Sequence, residues 1–369
     1  MVNTQLGGGI GMITGDVDKA VVAAAKAGDE AAFGGLAERY RRELRVHCYR
    51  MLGSYEEAED QVQETFLRAW RGRGTYRAEA SFRAWLYRIA TNACLDFLDR
   101  TPRTVPALDL PVAGDSDLAP RPAVAVPWLQ PFPDRLLEPA ADEAGEPDAV
   151  AVARETIELA FLAAIQHLPV RTRAVLILRD VLGWTAKEAA SLLETTPASV
   201  NSALQRARAE LKEHLPTRRA QWRPAAEPSA DERAVVRRYM TAVVECDEDA
   251  LAQLLREDVR CGHQAGAGGW MGPEPTWYGG LAEVLEGWAP ALRGPDALDF
   301  AMRFTRANGQ PAVATYIRWP SAGGRFEPFA LDVLSIVEGK VAEVVNFVPA
   351  VFPSFGLPAS LAADAERVG

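Results

Sequence analysis

A chain of 369 residues exceeds what one hydrophobic core usually spans, so two or three domains are expected. Its 48% hydrophobic content suits a globular protein, and no apolar run reaches the roughly 18 residues of a membrane helix. The start MVNTQLGGGIGMITGD lacks the parts of a signal peptide, and the four scattered cysteines form no CxxC or Cys/His spacing. A disulfide framework, a metal site and a membrane anchor are therefore not expected, and a cytoplasmic setting fits. The net charge of −10 is unevenly spread. Residues 66–103 and 171–219 are basic, whereas 104–148 and the stretch from 229 onward are acidic. Whole-chain acidity is thus a poor guide to what each block binds.

The apolar spacing predicts helices over Asp29–Arg50 and Tyr55–Trp70, the second with Ala58, Val62, Phe66 and Ala69 on one stripe. After the loop Arg71–Thr75, Ser81 is placed to cap a helix to about Arg100 with Phe82, Leu86, Ile89, Ala93 and Phe97 inward. The proline-rich, acidic segment 104–148 has no helical period and reads as a linker. Its Pro127–Pro133 stretch carries Trp128, Leu129 and Phe132 among prolines, apolar anchors that suggest docking. Helices follow at about 150–167, 170–181, 185–193 and 197–214. A second linker covers 217–229. Beyond it, helices near 231–246, 248–255 and 280–289 alternate with β-like runs at 259–263, 298–305, 312–319, 329–337 and 341–347. That order implies an α+β domain with a mostly antiparallel sheet.

The strongest local signal lies between Leu182 and Leu215. Gly183 ends one helix, Thr185 and Glu188 form a capping box for the next, and Thr196 with Pro197 starts a third. Two short helices joined by a tight turn match helix-turn-helix spacing. Val200, Leu204, Ala207, Leu211 and Leu215 share one face of the last helix. Thr196, Ser199, Asn201, Ser202, Gln205, Arg206 and Arg208 supply its polar side, with residue types that pair with adenine and guanine edges. A polar helix face is also what simple solvation produces; the turn and the local positive charge favour DNA.

Upstream, Asp60, Gln63, Glu64 and Arg68 form a charged stripe that is either solvated or a docking surface. Arg71, Arg73, Arg77, Arg83 and Arg88 lie beside Tyr76, Phe82, Trp85 and Tyr87, and arginines with aromatic rings suit unpaired DNA strands.

These motifs carry a resemblance. AEDQVQETFLRAW followed by FRAWLYRIATNACLD resembles the polymerase-binding and −10-reading parts of sigma-70-type initiation factors. LPVRTRAVLILRDVLGWTAKEAASLL with its following helix is similar to their −35-reading domain, and the whole resembles the extracytoplasmic-function group. The resemblance implies two all-α sigma domains, at 18–103 and 149–216, the second with the helix-turn-helix. It implies core RNA polymerase and promoter DNA as partners, no cofactor, and no covalent chemistry. Asp60, Gln63, Glu64 and Arg68 would then face the polymerase. Arg71, Arg73, Arg77, Arg83, Trp85, Arg88 and Asn92 would hold the opened −10 strand, and the Thr196–Arg208 face would read the −35 groove. The acidic linker would run toward the template-strand channel. In the free factor the same acidic segment, with Asp109, Asp115, Asp117 and Asp134, would lie against either basic block and hold it closed.

Residues 230–353 resemble the SnoaL-like, nuclear-transport-factor-2-like cone, a regulatory domain in sigma factors that carry it. Trp128, Leu129 and Pro131 resemble the linker element of those factors, which implies contacts between the cone and the sigma domains. Relatives of the cone include isomerases, so His263, Trp277, Tyr278, Tyr316 and Asp332 are candidate pocket residues for a small-molecule ligand, with Trp270 and Phe329 as apolar wall. Two other classes stay open: a one-component helix-turn-helix regulator with a ligand-sensing cone, and a cone enzyme with a DNA-binding appendage. The DQVQETFLRAW block favours the sigma factor, because a plain regulator needs no polymerase-docking surface.

Overall fold

The computed structural model describes residues 19–76, 81–106, 123–137, 158–215, 229–267, 275–294, 297–319 and 324–369. Arg77, Trp270, Asp109, Asp115, Asp117, most of the expected linker and the start of the helix expected at 150–167 lie outside these residues. The chain forms two compact units. Among the described residues the first gathers 19–51, 58–101 and 170–206; the second gathers 52–57, 102–169 and 207–369.

The first unit is helical. Helices α1 (Lys19–Ala27), α2 (Glu30–Leu52), α3 (Tyr55–Arg71) and α4 (Phe82–Arg100) precede α6 (Val170–Leu176), which runs into a π turn at Ile177–Val181. α1 has no counterpart among the expected helices; Gly28, at φ 103°, separates it from α2. The α3 stripe is buried as its period requires: Ala58, Val62 and Ala69 are fully enclosed and Phe66 nearly so. Ser81 caps α4 by accepting from the Ala84 amide at 3.1 Å. Phe82, Leu86 and Ala93 point inward, whereas Ile89 and Phe97 are only half-buried. Polar side chains inside this core make cross-helix bonds. His47 Nε2 lies 2.9 Å from Thr91 Oγ1, and Arg173 Nη1 donates to the Met51 carbonyl at 2.5 Å.

The reading pair is α7 (Ala186–Leu192) and α8 (Pro197–His214). The Thr185–Glu188 capping box is complete, and Thr196 accepts from the Ser199 amide at 3.1 Å. Each such cap stabilises its helix by about 1 kcal/mol. Between them Glu194 takes a left-handed φ of 52°, which makes the turn tight.

In the second unit, α5 (Leu159–Gln166) precedes α9 (Ala230–Val244) and α10 (Glu248–Leu254). Strands β1 (Leu255–His263), β2 (Thr276–Gly279), β3 (Asp299–Ala307), β4 (Gln310–Arg318), β5 (Glu327–Val337) and β6 (Lys340–Phe347) form one sheet among the described residues, in the order β2-β1-β6-β5-β4-β3. Only the β1–β6 pairing is parallel. β2 is too short to show alternation and is not anticipated by the periodicity. One face of the sheet packs under α9, α10 and α11 (Leu281–Leu292), around Tyr239, Met240, Val259, Val313, Leu334 and Val344. The β3 edge is closed by the chain end, where the Met302 amide donates to the Arg367 carbonyl and that of Phe304 to Gly369, each at 2.7 Å.

The other face takes residues 123–137, the described part of the expected linker. Val124 sits against Gly262, where any Cβ would come within 2.8 Å of it and 2.7 Å of the Trp277 ring. Amide side chains satisfy the backbone of this proline-rich run. Gln264 Nε2 donates to the carbonyls of Pro127 (3.1 Å) and Leu129 (2.8 Å), and the Phe132 amide donates to Asn308 Oδ1 (2.8 Å). Asp134 accepts from the Gly309 amide at 2.8 Å and pairs with Arg306 at 3.3 Å. Gln130 reaches the 52–57 turn, accepting from Ser54 Oγ and the Glu56 amide.

Asn308 also takes a positive φ of 58° in the β3–β4 turn. Asn308→Gly keeps that backbone and removes the side-chain acceptor of the Phe132 amide, so a loss of about 1–2 kcal/mol in urea unfolding is expected, with faster proteolysis within 123–137. Asn308→Ala, which adds backbone strain, is expected to lose more.

Candidate nucleic-acid interface

Asp60 and Gln63 are exposed on α3, with Glu64 and Arg68 half-buried beside them. Arg68 donates to Glu64 Oε1 at 2.7 Å and to Asp96 of α4 at 2.5 Å. Its guanidinium therefore organises this face as much as it presents charge. Leu67 stands in the same stripe, 50% exposed. It went unremarked in the sequence because the stripe was read for its charges.

The arginines expected to contact the −10 strand have different fates. Arg71 is exposed. Arg73 lies flat on Trp70, 4.3 Å from the ring centroid, and bonds its carbonyl. Arg83, although exposed, donates to Glu43 at 2.7 Å and lies over the Tyr87 ring, so its charge is paired at the surface. Tyr76, Phe82 and Trp85 form one aromatic cluster with centroids 5.4–5.6 Å apart, in which Trp85 stays half-buried. Arg88 donates to the Ser191 carbonyl of α7 at 3.1 Å. Asn92 lines a groove of about 350 Å³ with Arg68, Asp96, Arg171, Leu193 and Glu194.

On α8 the two faces separate cleanly. Val200, Leu204, Ala207 and Leu211 are buried, and Leu215 just beyond is half-buried. Thr196, Ser199, Asn201, Ser202, Gln205, Arg206 and Arg208 are all exposed on the outside. A helix held by its apolar face, with amide and guanidinium groups projecting, has the dimensions and donors to enter a major groove.

In the second unit Leu129 and Pro131 are buried, while Trp128 is half-buried and donates its Nε1–H to Gln166 at 3.2 Å. The five candidate pocket residues do not form one site. His263, Tyr278 and Asp332 face the helix-covered interior. Trp277 turns to the opposite face against Gly262, and Tyr316 does the same, donating to the Pro358 carbonyl at 2.9 Å with its ring on Phe352. Strand alternation sends neighbours to opposite faces: Val313, the register partner of Asp332, and Thr315 share the face of Asp332, and Tyr316 takes the other. Asp332 is fully enclosed, accepts from Thr315 Oγ1 at 2.7 Å and from Asn346 Nδ2, and burial pushes its carboxyl up to about 7. Burial also lowers His263 to about 4.

These features define a helix-turn-helix DNA-reading factor with a fused α+β cone. The chain matches the family models for sigma-70 region 2 over residues 36–104, for sigma-70 region 4 over 158–211 and for the SnoaL-like domain over 236–344. It is 40% identical over 337 residues to the ECF RNA polymerase sigma factor SigG of Mycobacterium tuberculosis, covering 89% of this chain and 85% of that one. SigM of the same organism is 32% identical over 194 residues, covering 53% of this chain and 82% of its own. The crystal structure of the M. tuberculosis extracytoplasmic function sigma factor SigJ shares the fold, with a TM-score of 0.53 at 22% identity, over 87% of this chain and 98% of that one. The chain belongs to the extracytoplasmic-function sigma factors, in the form that carries a SnoaL-like C-terminal domain.

The enclosed acid gives a pH signature. Between about pH 4 and 7 folded Asp332 keeps a proton that the unfolded chain releases, so its contribution to stability falls as pH rises through that window. His263 acts in the opposite sense, losing stability as pH falls from 6.5 to about 4. Asp332→Asn is therefore expected to gain on the native chain at pH 8 relative to pH 5, by on the order of 1–3 kcal/mol in urea unfolding.

Proposed function

We propose that this sigma factor docks on core RNA polymerase through Asp60, Gln63, Glu64 and Leu67, and reads the −35 element with the outer face of α8. The observation that carries the proposal is the division of α8 into a buried apolar stripe and an exposed row of Asn201, Ser202, Gln205, Arg206 and Arg208. Phosphate contacts supply affinity, base-edge contacts supply promoter choice, and no residue of either sigma domain has a chemical step to perform. Arg71, Arg73, Trp85, Arg88 and Asn92 supply the cationic and aromatic surface for the opened −10 strand; Arg83 supports that surface through Glu43.

The first unit supports a closed resting state. Arg88, from the −10 set, is spent on Ser191 of the reading pair. Promoter elements centred at −35 and −10 lie about 85 Å apart along B-form DNA, so the two readers must separate before both can bind. We read the cone as a regulator of non-enzymatic kind. What supports this is its hold on residues 127–134 through Gln264, Asn308 and Gly309, which keeps the linker from any other path.

Run-off transcription with core polymerase tests the assignment. Asp60→Arg, at an exposed position, is expected to weaken core binding at least tenfold while leaving the melting temperature in place; adding Glu64→Arg deepens the loss and also breaks the Glu64–Arg68 pair. Arg206→Ala should keep core binding and lose on the order of 1–3 kcal/mol of −35 discrimination. Gln264→Ala, which frees the linker carbonyls, should change transcript yield without changing promoter choice. Native core binding by the charge-reversed chain would refute the docking face.

A further inference from the structure

We propose that the outer face of α9 is a second DNA-contacting surface, which grips phosphates of the duplex upstream of the −35 element through Arg233, Arg237 and Arg238. Three helices cover the same face of the cone's sheet, and their solvent sides differ in sign. α10 turns Asp249 outward, and α11 turns Glu283 and Glu286 outward, as suits a domain with an acidic excess. α9 buries Val235, Val236, Tyr239 and Met240 and leaves Arg233, Ala234, Arg237 and Arg238 exposed. Its two acids, Asp231 and Glu232, are confined to the first turn, where Glu232 accepts from the Ser229 amide at 2.7 Å.

Pairing sets Arg237 and Arg238 apart from the cone's other arginines. Arg293 is shared between Glu248 and Glu286 at 3.3 Å, Arg318 and Arg367 both meet Asp299, and Arg260 is buried on Glu343. Among the described residues Arg237 and Arg238 make no ion pair and no hydrogen bond. Adjacent guanidinium groups with no carboxylate between them repel each other, a cost that a polyanion removes. Arg233 and Arg237 stand one helical turn apart, about 6 Å along the axis, and a guanidinium fork matches phosphate oxygens two at a time. At physiological salt a charge is felt over about 8 Å, so these local cations, and not the cone's net acidity, decide what the face attracts.

The tether supplies the place. α8 ends at His214 and α9 begins at Ala230, so residues 215–229 alone join the reading helix to the cationic one. A chain covers at most about 3.5 Å per residue, which keeps the start of α9 within about 55 Å of the end of α8. With α8 in the −35 groove, that distance corresponds to about 16 base pairs of duplex at 3.4 Å each. Downstream of the −35 element the DNA is taken by the −10 reader and the core polymerase; the upstream duplex is the part left for α9. This placement rests on the reading of α8 above, whereas the charge of α9 does not.

The test uses holoenzyme assembled from core polymerase and the full-length chain, on a promoter it selects from a random-sequence duplex pool. The promoter is made in two lengths, one ending just upstream of the −35 element and one carrying about 20 further base pairs, enough to fill the reach of the tether. The native chain should bind the longer duplex roughly fivefold more tightly, with a slope of log K against log salt steeper by about 2. Arg237→Gln with Arg238→Gln should remove most of that gain and that slope, and leave the melting temperature, core binding and the shorter duplex as they were. Arg237→Lys with Arg238→Lys, which keeps the charge, should retain the gain. Should the glutamine pair not fold, the length and salt comparison on the native and lysine chains decides alone. Equal binding of the two lengths by the native chain, or an unchanged length preference in the glutamine pair, overturns the proposal. So does an equal loss on both lengths, which would set α9 against the polymerase and not the DNA. Failure of the native chain to select any promoter overturns it together with the α8 reading, and Arg206→Ala on the shorter duplex reports on that reading separately.

Discussion

A proline-rich segment pairs sparingly with a sheet, here by one antiparallel bridge of Pro133 with Ala307, and burying the rest leaves carbonyls and amides that need partners. The second unit solves this with side-chain amides: Gln264, Asn308 and Gln130 stand in for the missing strand around residues 127–132. Much of the molecule's behaviour depends on this arrangement. It turns a linker into part of a fold, and it ties that fold to the end of β1 and the β3–β4 turn. Because each bond is made by one replaceable side chain, the hold is specific without being strong, as a releasable contact requires.

The same economy governs the first unit. Arginines are its commonest polar groups, and the structure sorts them by partner. Arg173 is buried on a backbone carbonyl, Arg83 is neutralised by Glu43, and Arg88 is held by one carbonyl at the surface. A guanidinium with one hydrogen bond to a carbonyl exchanges readily for a phosphate; one paired with a carboxylate, as Arg83 is at the surface, has more to give up. The basic block is therefore graded in availability, and only part of it is ready for nucleic acid.

The cone shows how one fold serves two sides. Its helix-covered face encloses the row from Thr315 to His263, and its opposite face carries the linker. β1 belongs to both, since His263 faces inward and the side chain of Gln264 grips Pro127 and Leu129.

The sequence by itself determined what local period and chemistry decide. The α8 stripe, the capping box at Thr185 and Glu188, the cap at Ser81 and the left-handed Gly183 all stand where their residue types put them, because helix faces and caps are set within a few residues. Most strands of the cone were legible for the same reason, while β2, with only four residues, was not. Tertiary structure alone decided the rest. Whether Arg83 pairs with Glu43 depends on a residue 40 positions away, and the β4–β5 register that sets Val313 rather than Tyr316 opposite Asp332 is fixed across a turn. The partner that orients His263 sits on another strand, at Asn346, by way of Cys261. Pairings across long sequence separations follow from how elements pack, and neither a period of 3.6 nor one of 2 encodes them.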